Sequence, residues 1–300
     1  MDNTDQTYPK ISIVTPSYNQ GQYIEETILS VLNQNYPNLE YIIIDGGSTD
    51  DTVEIIKKYE DQIYYWASEK DDGQSDAINK GLSMATGEIL AWINSDDYYL
   101  PNCFFEIADA YHKHRLTNNP EFWFIGNCLA KGTINWEFKS KLFTKLDLLR
   151  FWDHVIGQPS VFWSKNLIQH PILNEQLHYA MDLDLWLRMR NKAAPIALNA
   201  DLSVARYYDD TKTSKGDYKR YLEIKNILIH YNDQKSFLSD KELGKRLYQR
   251  LFKDYVHKRL ILPQLSFYEN TKREWKPTFM HRLKICIHVW RSLLKFLIKT

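Results

Sequence analysis

Cysteine is scarce in this chain of 300 residues: Cys103, Cys128 and Cys286 stand far apart, with no CxxC spacing. That argues against a zinc site or a disulfide framework and for a reducing compartment. Net charge is missing too, since 38 Lys and Arg balance 38 Asp and Glu, so the chain as a whole has no bias toward nucleic acid. No apolar run approaches the roughly 20 residues that cross a bilayer. The first residues, Met1 to Asp5, are polar and lack the pattern of a signal peptide. A soluble, cytoplasmic body is expected. Repeats and low-complexity tracts are absent as well. What the chain does have is apolar and aromatic: 44% hydrophobic residues, including 20 Tyr, 13 Phe and 9 Trp, enough for a substantial core.

Short apolar runs alternate with helical spacing through the first hundred residues. Ile11 to Thr15 reads as a strand that stops at Pro16, Tyr41 to Ile44 as a second that ends at Asp45, and Ile63 to Trp66 as a third. Helices are expected over Tyr23 to Leu32, from a cap at Ser48 or Thr49 to about Tyr59, and over Ala77 to Ala85, with Asp50 and Asp51 as helix-start residues. Repeated β-α units of this kind argue for a parallel, doubly wound sheet. Right-handed crossovers would bring the strand ends carrying Thr15, Asp45 and Asp97 to one edge.

Farther on, Phe122 to Ile125, Thr133 to Phe138 and Val161 to Trp163 read as strands, Asp182 to Arg190 as a helix, and Ala194 to Tyr207 as extended chain. The pattern turns helical and basic near Lys215 and Gly216, giving a domain over residues 1–213 and an extension over 214–300.

The run Glu88 to Ser95 ends in two adjacent acids, Asp96 and Asp97. Ligands of open α/β sheets bind beyond the carboxyl ends of the strands, so this pair is placed to hold a divalent cation against a phosphorylated ligand. The rival reading is a turn or helix cap ahead of Pro101.

The strings Ile13 to Asn19, Ile44 to Asp50, Ser68 to Gly81 and Asn94 to Asp97 together resemble glycosyltransferase family 2. The resemblance covers roughly residues 10–213. It implies the GT-A fold, a Rossmann-like, mostly parallel central sheet flanked by helices, here followed by an α-helical extension. It also implies an inverting, metal-dependent transferase acting on a nucleotide-activated sugar.

By that resemblance Asp97 is the ligand of Mg²⁺ or Mn²⁺, and Asp96 faces the ribose or a metal-bound water. Thr15, Pro16, Ser17 and Tyr18 offer hydroxyls, backbone groups and an aromatic face to the nucleotide, although an ordinary strand-to-helix turn would look the same. Asp45 is assigned to the base edge, with UDP favoured, against a plain turn-stabilising role. Asp71 and Asp76, placed on a loop entering a helix, fall where the ribose and donor sugar are contacted. Lys80 is read as an exposed helical lysine. Asp182 takes the general base, against a simple helix cap, and Asp184 is expected to be solvated. Gln158 falls on the acceptor side, and Arg206 and Lys212 are candidates for phosphate. One departure stands out: Tyr208 occupies a position that usually carries His, which leaves the third side of the metal site open.

The acceptor is expected to be a glycan or a lipid-linked glycan. Residues 271–300 carry eight Lys and Arg against Glu274 alone, interleaved with Leu, Ile, Phe and Trp290. Such a segment suits either peripheral contact with an anionic membrane or packing on the catalytic domain. The alternatives in function are a nucleotidyltransferase, for which Ser17 to Gly21 lacks the basic loop, and a non-catalytic sugar-nucleotide binder.

Overall fold

The computed structural model describes residues 8–133, 135–151, 156–209, 211–212 and 218–231. The chain divides into two compact units between Gly216 and Asp217, and each is taken by itself.

In the first unit, β1 (Ile11–Ser17), β2 (Leu39–Asp45), β3 (Tyr65–Ser68) and β4 (Ile89–Trp92) pair in parallel in the order β3-β2-β1-β4. Every residue of β1 and β4 is buried. Strands covered on both faces need apolar residues on both, which is why these read as continuous runs. Ser17 lies opposite Asp45, and the Ile93 N–H donates to the Val14 carbonyl, so the three strands finish along one edge.

Beyond β4 the sheet is mixed. It continues through β8 (Val161–Ser164), β6 (Trp123–Gly132), β9 (Ile196–Tyr207) and β5 (Tyr98–Tyr99), with β7 (Trp136–Phe138) added to β6. β8 runs antiparallel to β4 and β6, while β9 runs parallel to β6. The two-residue β5 pairs antiparallel with β9, Tyr98 opposite Val204. That short ladder has a long reach: it brings residues 206–208 back onto the segment that follows β4.

Helices α1 (Ile24–Leu32), α2 (Thr52–Lys57), α3 (Gln74–Met84), α4 (Cys103–Arg115), α5 (Lys145–Phe151) and α6 (Met181–Lys192) complete the unit. α3 packs on β1 and β2 so closely that a Cβ at Gly81 would come within 2.5 Å of a Val14 methyl. The free thiols of Cys103 and Cys128 are buried.

In the second unit only α7 (Tyr218–Tyr231) is described. Its buried residues Ile224, Ile227, Leu228 and Tyr231 fall at i, i+3, i+4 and i+7, a single apolar stripe. The basic segment 271–300 lies outside the described residues, and among those described no helix is long and apolar enough to cross a membrane.

Several boundaries differ from expectation. β1 passes through Pro16 because the β4 ladder ends at Val14, so the missing N–H faces no partner strand. β3 begins two residues late, at Tyr65. As the edge strand it leaves Tyr64 and Tyr65 exposed, and burial did not select its register there. α2 begins at Thr52, not after a cap at Ser48 or Thr49; Asp50 receives the Thr52 N–H instead, while the Ser48 hydroxyl turns to Asp45. α3 begins at Gln74, behind Gly73 at φ 112°, which moves Asp76 from a loop into the first helical turn.

Candidate active site

The two acids after β4 meet the end of β9. Asp97 is buried, and its Oδ1 accepts the Arg206 backbone N–H at 2.9 Å. Asp96 Oδ2 accepts the Tyr208 hydroxyl at 2.8 Å. The Arg206 guanidinium is directed elsewhere: it donates to the Asp96 carbonyl and to Glu26, and lies over the Tyr98 ring at 4.6 Å and the Tyr23 ring at 5.4 Å. Burial pushes both carboxyls above the usual range. For Asp97 the charge of Asp96 adds to burial, against the Arg206 N–H and Asn94; for Asp96 the Tyr208 hydroxyl pulls the other way.

A like-charged pair of this kind, Asp97 buried and Asp96 half-buried, fits a divalent cation, since an ion between hard carboxylate oxygens offsets both penalties. Among the described residues no third His, Cys, Asp or Glu joins the pair. That donor set suits Mg²⁺ or Mn²⁺, which fill the rest of their shell with water and phosphate oxygens.

A chain of amides crosses the floor beside the acids. The Lys212 ammonium donates to Gln74 Oε1 at 2.9 Å, and Gln74 Nε2 donates to Asn94 Oδ1 at 2.8 Å. Asn94 Nδ2 in turn reaches Asp97 Oδ2 at 3.3 Å and Gln158 Oε1 at 3.2 Å, and Gln158 Nε2 caps the Trp92 carbonyl at 2.9 Å. Lys212, Gln158 and Asp97, three residues singled out from the sequence, are thus joined through two that were not. Gln74 and Asn94 stand inside the strings Ser68 to Gly81 and Asn94 to Asp97 that carry the family resemblance, but neither was given a role of its own.

At the ends of β1 and β2 the arrangement is tighter than expected. Asp45 is fully buried and its carboxylate accepts four hydrogen bonds, from the Gly47 and Ser48 N–H groups and from the Ser48 and Ser68 hydroxyls. Those contacts are the turn-stabilising role weighed against base recognition. The Thr15 hydroxyl does not face the edge either; it bonds Tyr41 inside the core at 3.1 Å. Pro16 is buried as well, and the Ser17 hydroxyl is buried without a partner while its carbonyl accepts the Gly46 N–H. Tyr18 is exposed and offers its ring.

The Asp71 carboxylate passes over Gly46, where a Cβ would come within 2.7 Å of it, and it accepts the Gly73 N–H. Asp76 binds the Asp72 N–H and pairs with Lys80 at 3.0 Å; burial opposes its ionisation, but these two contacts outweigh it and hold the carboxyl low. Lys80, read as exposed, is therefore paired.

α6 is seated by its indole. Trp186 stacks on Trp92, at 5.6 Å and 16°, and on Trp123, at 6.0 Å and 14°. Trp92 is the last residue of β4, and Asp182 lies one turn before Trp186 on the same helix face. The approach to α6 is pinned by α3: Ser75 Oγ donates to the Leu177 carbonyl, and the buried Asn79 amide bonds both backbone groups of Leu173 and the Glu175 carboxylate. Lys212 lies 6.0 Å from the Tyr179 ring, so the residues leading into Asp182 border the amide chain. Asp184 is not solvated. It is buried and pairs with Arg188 at 2.8 Å, and Arg188 also donates to the Ile172 carbonyl. An i, i+4 carboxylate–guanidinium pair inside the fold explains the difference.

Residues 12–159 match the model of glycosyl transferase family 2. The chain belongs to that family. It is 44% identical over 92 residues to TuaG of Bacillus subtilis, a putative teichuronic acid biosynthesis glycosyltransferase, a match that covers 30% of this chain but only 36% of that protein. The GalNAc(5)-diNAcBac-PP-undecaprenol beta-1,3-glucosyltransferase of Campylobacter jejuni is 25% identical over 250 residues, 79% of each chain. Among solved structures, residues 1–349 of S. aureus TarS in complex with UDP-GlcNAc superpose with a TM-score of 0.63 at 18% identity, covering 87% of this chain and 79% of that one. The family's GT-A fold is thereby established for the first unit. Its motif segments carry the acid pair, the Asp45 turn and the start of α3, while Asp182 and residues 206–212 lie beyond the matched stretch.

Proposed function

We propose that this protein is an inverting glycosyltransferase that moves a sugar from a nucleoside diphosphate donor to a hydroxyl of a glycan or lipid-linked acceptor in cell-surface glycan synthesis. The observation that carries this reading is the adjacent Asp96–Asp97 pair, half-buried and buried respectively, whose carboxylates the neighbouring Arg206 guanidinium leaves to other partners. Asp97, with Asp96 next to it, would hold Mg²⁺ or Mn²⁺, which when bound stabilises negative charge on the departing diphosphate. UDP is the favoured nucleotide, in line with the ligand of the TarS complex. The acceptor class is in line with the undecaprenol-linked substrate in the name of the Campylobacter relative.

On the donor side, Tyr18 would supply a ring for the base, Asp71 and Asp76 would frame the ribose and sugar, and Lys212 would meet the phosphates, while the Arg206 guanidinium is already tied to the Asp96 carbonyl and Glu26. On the acceptor side, Asp182 takes the proton of the attacking hydroxyl while Gln158 borders its path. The acceptor oxygen bonds to the anomeric carbon, the bond from that carbon to the phosphate oxygen breaks, and the proton ends on the Asp182 carboxylate. Attack opposite the leaving group inverts the configuration. The basic segment 271–300 would hold the enzyme at the membrane surface where a lipid-linked acceptor resides.

The test separates binding from chemistry. With Mn²⁺ present, UDP should raise the melting temperature of the wild type and of Asp182→Ala, but not of Asp97→Ala. Donor turnover by Asp182→Ala should fall about 10²–10⁴-fold. Retained turnover in Asp182→Ala would remove the general base from this scheme, and a Mn²⁺-dependent shift in Asp97→Ala would remove the metal ligand.

A further inference from the structure

We infer that Tyr208 is a positioning residue for the cation site, orienting the Asp96 carboxylate without itself contacting the ion. The inference rests on the reading of Asp96 and Asp97 given above and deepens it.

Four observations converge on this residue. Its hydroxyl donates to Asp96 Oδ2 at 2.8 Å, which fixes the rotation of that carboxylate and leaves Oδ1 to turn toward an ion. Its ring lies on Tyr23 at 4.9 Å and 35°, and Tyr23 immediately precedes α1, so the phenol is supported from below by a regular element. Tyr23 also borders the Arg206 guanidinium, which is tied to the Asp96 carbonyl. Two residues earlier in the chain than Tyr208, the Arg206 N–H holds Asp97 Oδ1. The end of β9 therefore grips one oxygen of each acid, with a backbone donor on Asp97 and a side-chain donor on Asp96. A phenol serves this purpose well, because it is rigid once its ring is packed and gives one directional hydrogen bond. Partners of this kind set the orientation of ligating carboxylates, and their loss typically weakens metal binding about 10- to 100-fold.

The full chain holding UDP is titrated with Mn²⁺ and free Mn²⁺ is read by electron paramagnetic resonance. The same titration is run on Tyr208→Phe, which keeps the ring on Tyr23, and on Tyr23→Leu, which keeps the hydroxyl but removes its support. UDP affinity without metal is measured alongside. The expected result is about a tenfold loss of Mn²⁺ affinity in Tyr208→Phe, a smaller loss in Tyr23→Leu, and metal-free UDP affinity within about twofold of the wild type. Unchanged Mn²⁺ affinity in Tyr208→Phe overturns the inference while the metal site stands. So does an equal fall in metal-free UDP affinity, which would mark a merely structural role. Absence of Mn²⁺ uptake by the wild type overturns the inference together with the metal site itself.

Discussion

Asp45 shows how far a single side chain can be read from its neighbours in the chain. Its place at the end of a buried strand, ahead of two glycines, is plain in the sequence. What the sequence does not reveal is that Ser48 and Ser68 both turn their hydroxyls onto it, because Ser68 arrives from β3 through a register that burial did not fix. With four donors on one buried carboxylate, truncation orphans several polar groups at once. Asp45→Ala is therefore expected to lower stability by about 2–4 kcal/mol, measured by urea denaturation in the absence of ligand. A variant that keeps full stability yet loses UDP binding would favour the base-reading role over the turn-stabilising one.

Asp184 carries the same lesson in reverse. Spacing alone made it a solvated neighbour of Asp182, but its partner Arg188 lies one turn along the same helix and buries it. The acid pair itself was legible, since two carboxylates after an apolar run can hardly be missed. The grip of residues 206–208 on them was not, because it depends on the two-residue ladder between β5 and β9.

Among the elements, the central parallel strands were the most legible, being buried on both faces and hence mostly apolar. The helices and strands between residues 100 and 165 were less so. α4 and α5 carry mixed faces, and β6 runs on past its apolar stretch to an exposed end at Lys131 and Gly132. The edge of the sheet opposite the site holds its own ionic knot. Glu40, fully buried at the start of β2, binds Lys10, Ser12 and both the N–H and the hydroxyl of Thr86, joining β1, β2 and the turn before β4. Burial alone would raise its pKa, but these donors outweigh it and bring it from 4.5 down to about 2. Because the folded value lies below the unfolded one, the stabilisation is complete above pH 4.5 and is lost as pH falls toward 2. Linkage puts its size at about 3 kcal/mol. The stability difference between wild type and Glu40→Gln should then shrink across that window, and a gap that is constant from pH 6 to pH 2.5 would show that Glu40 is not held this way.

At the scale of the whole molecule, the catalytic unit and the basic segment 271–300 pose separate questions. If that segment carries the membrane affinity proposed for it, deleting residues 278–300 should abolish co-sedimentation with vesicles rich in anionic lipid, while UDP still raises the melting temperature. Unchanged co-sedimentation after the deletion would move the contact elsewhere or dispense with it.

The pile of Trp123, Trp186 and Trp92 has one more consequence. Indoles this close and nearly parallel couple their excited states, so the chain carries an optical gauge at the seat of α6. Near-ultraviolet circular dichroism would then follow the helix that bears Asp182 apart from the rest of the fold.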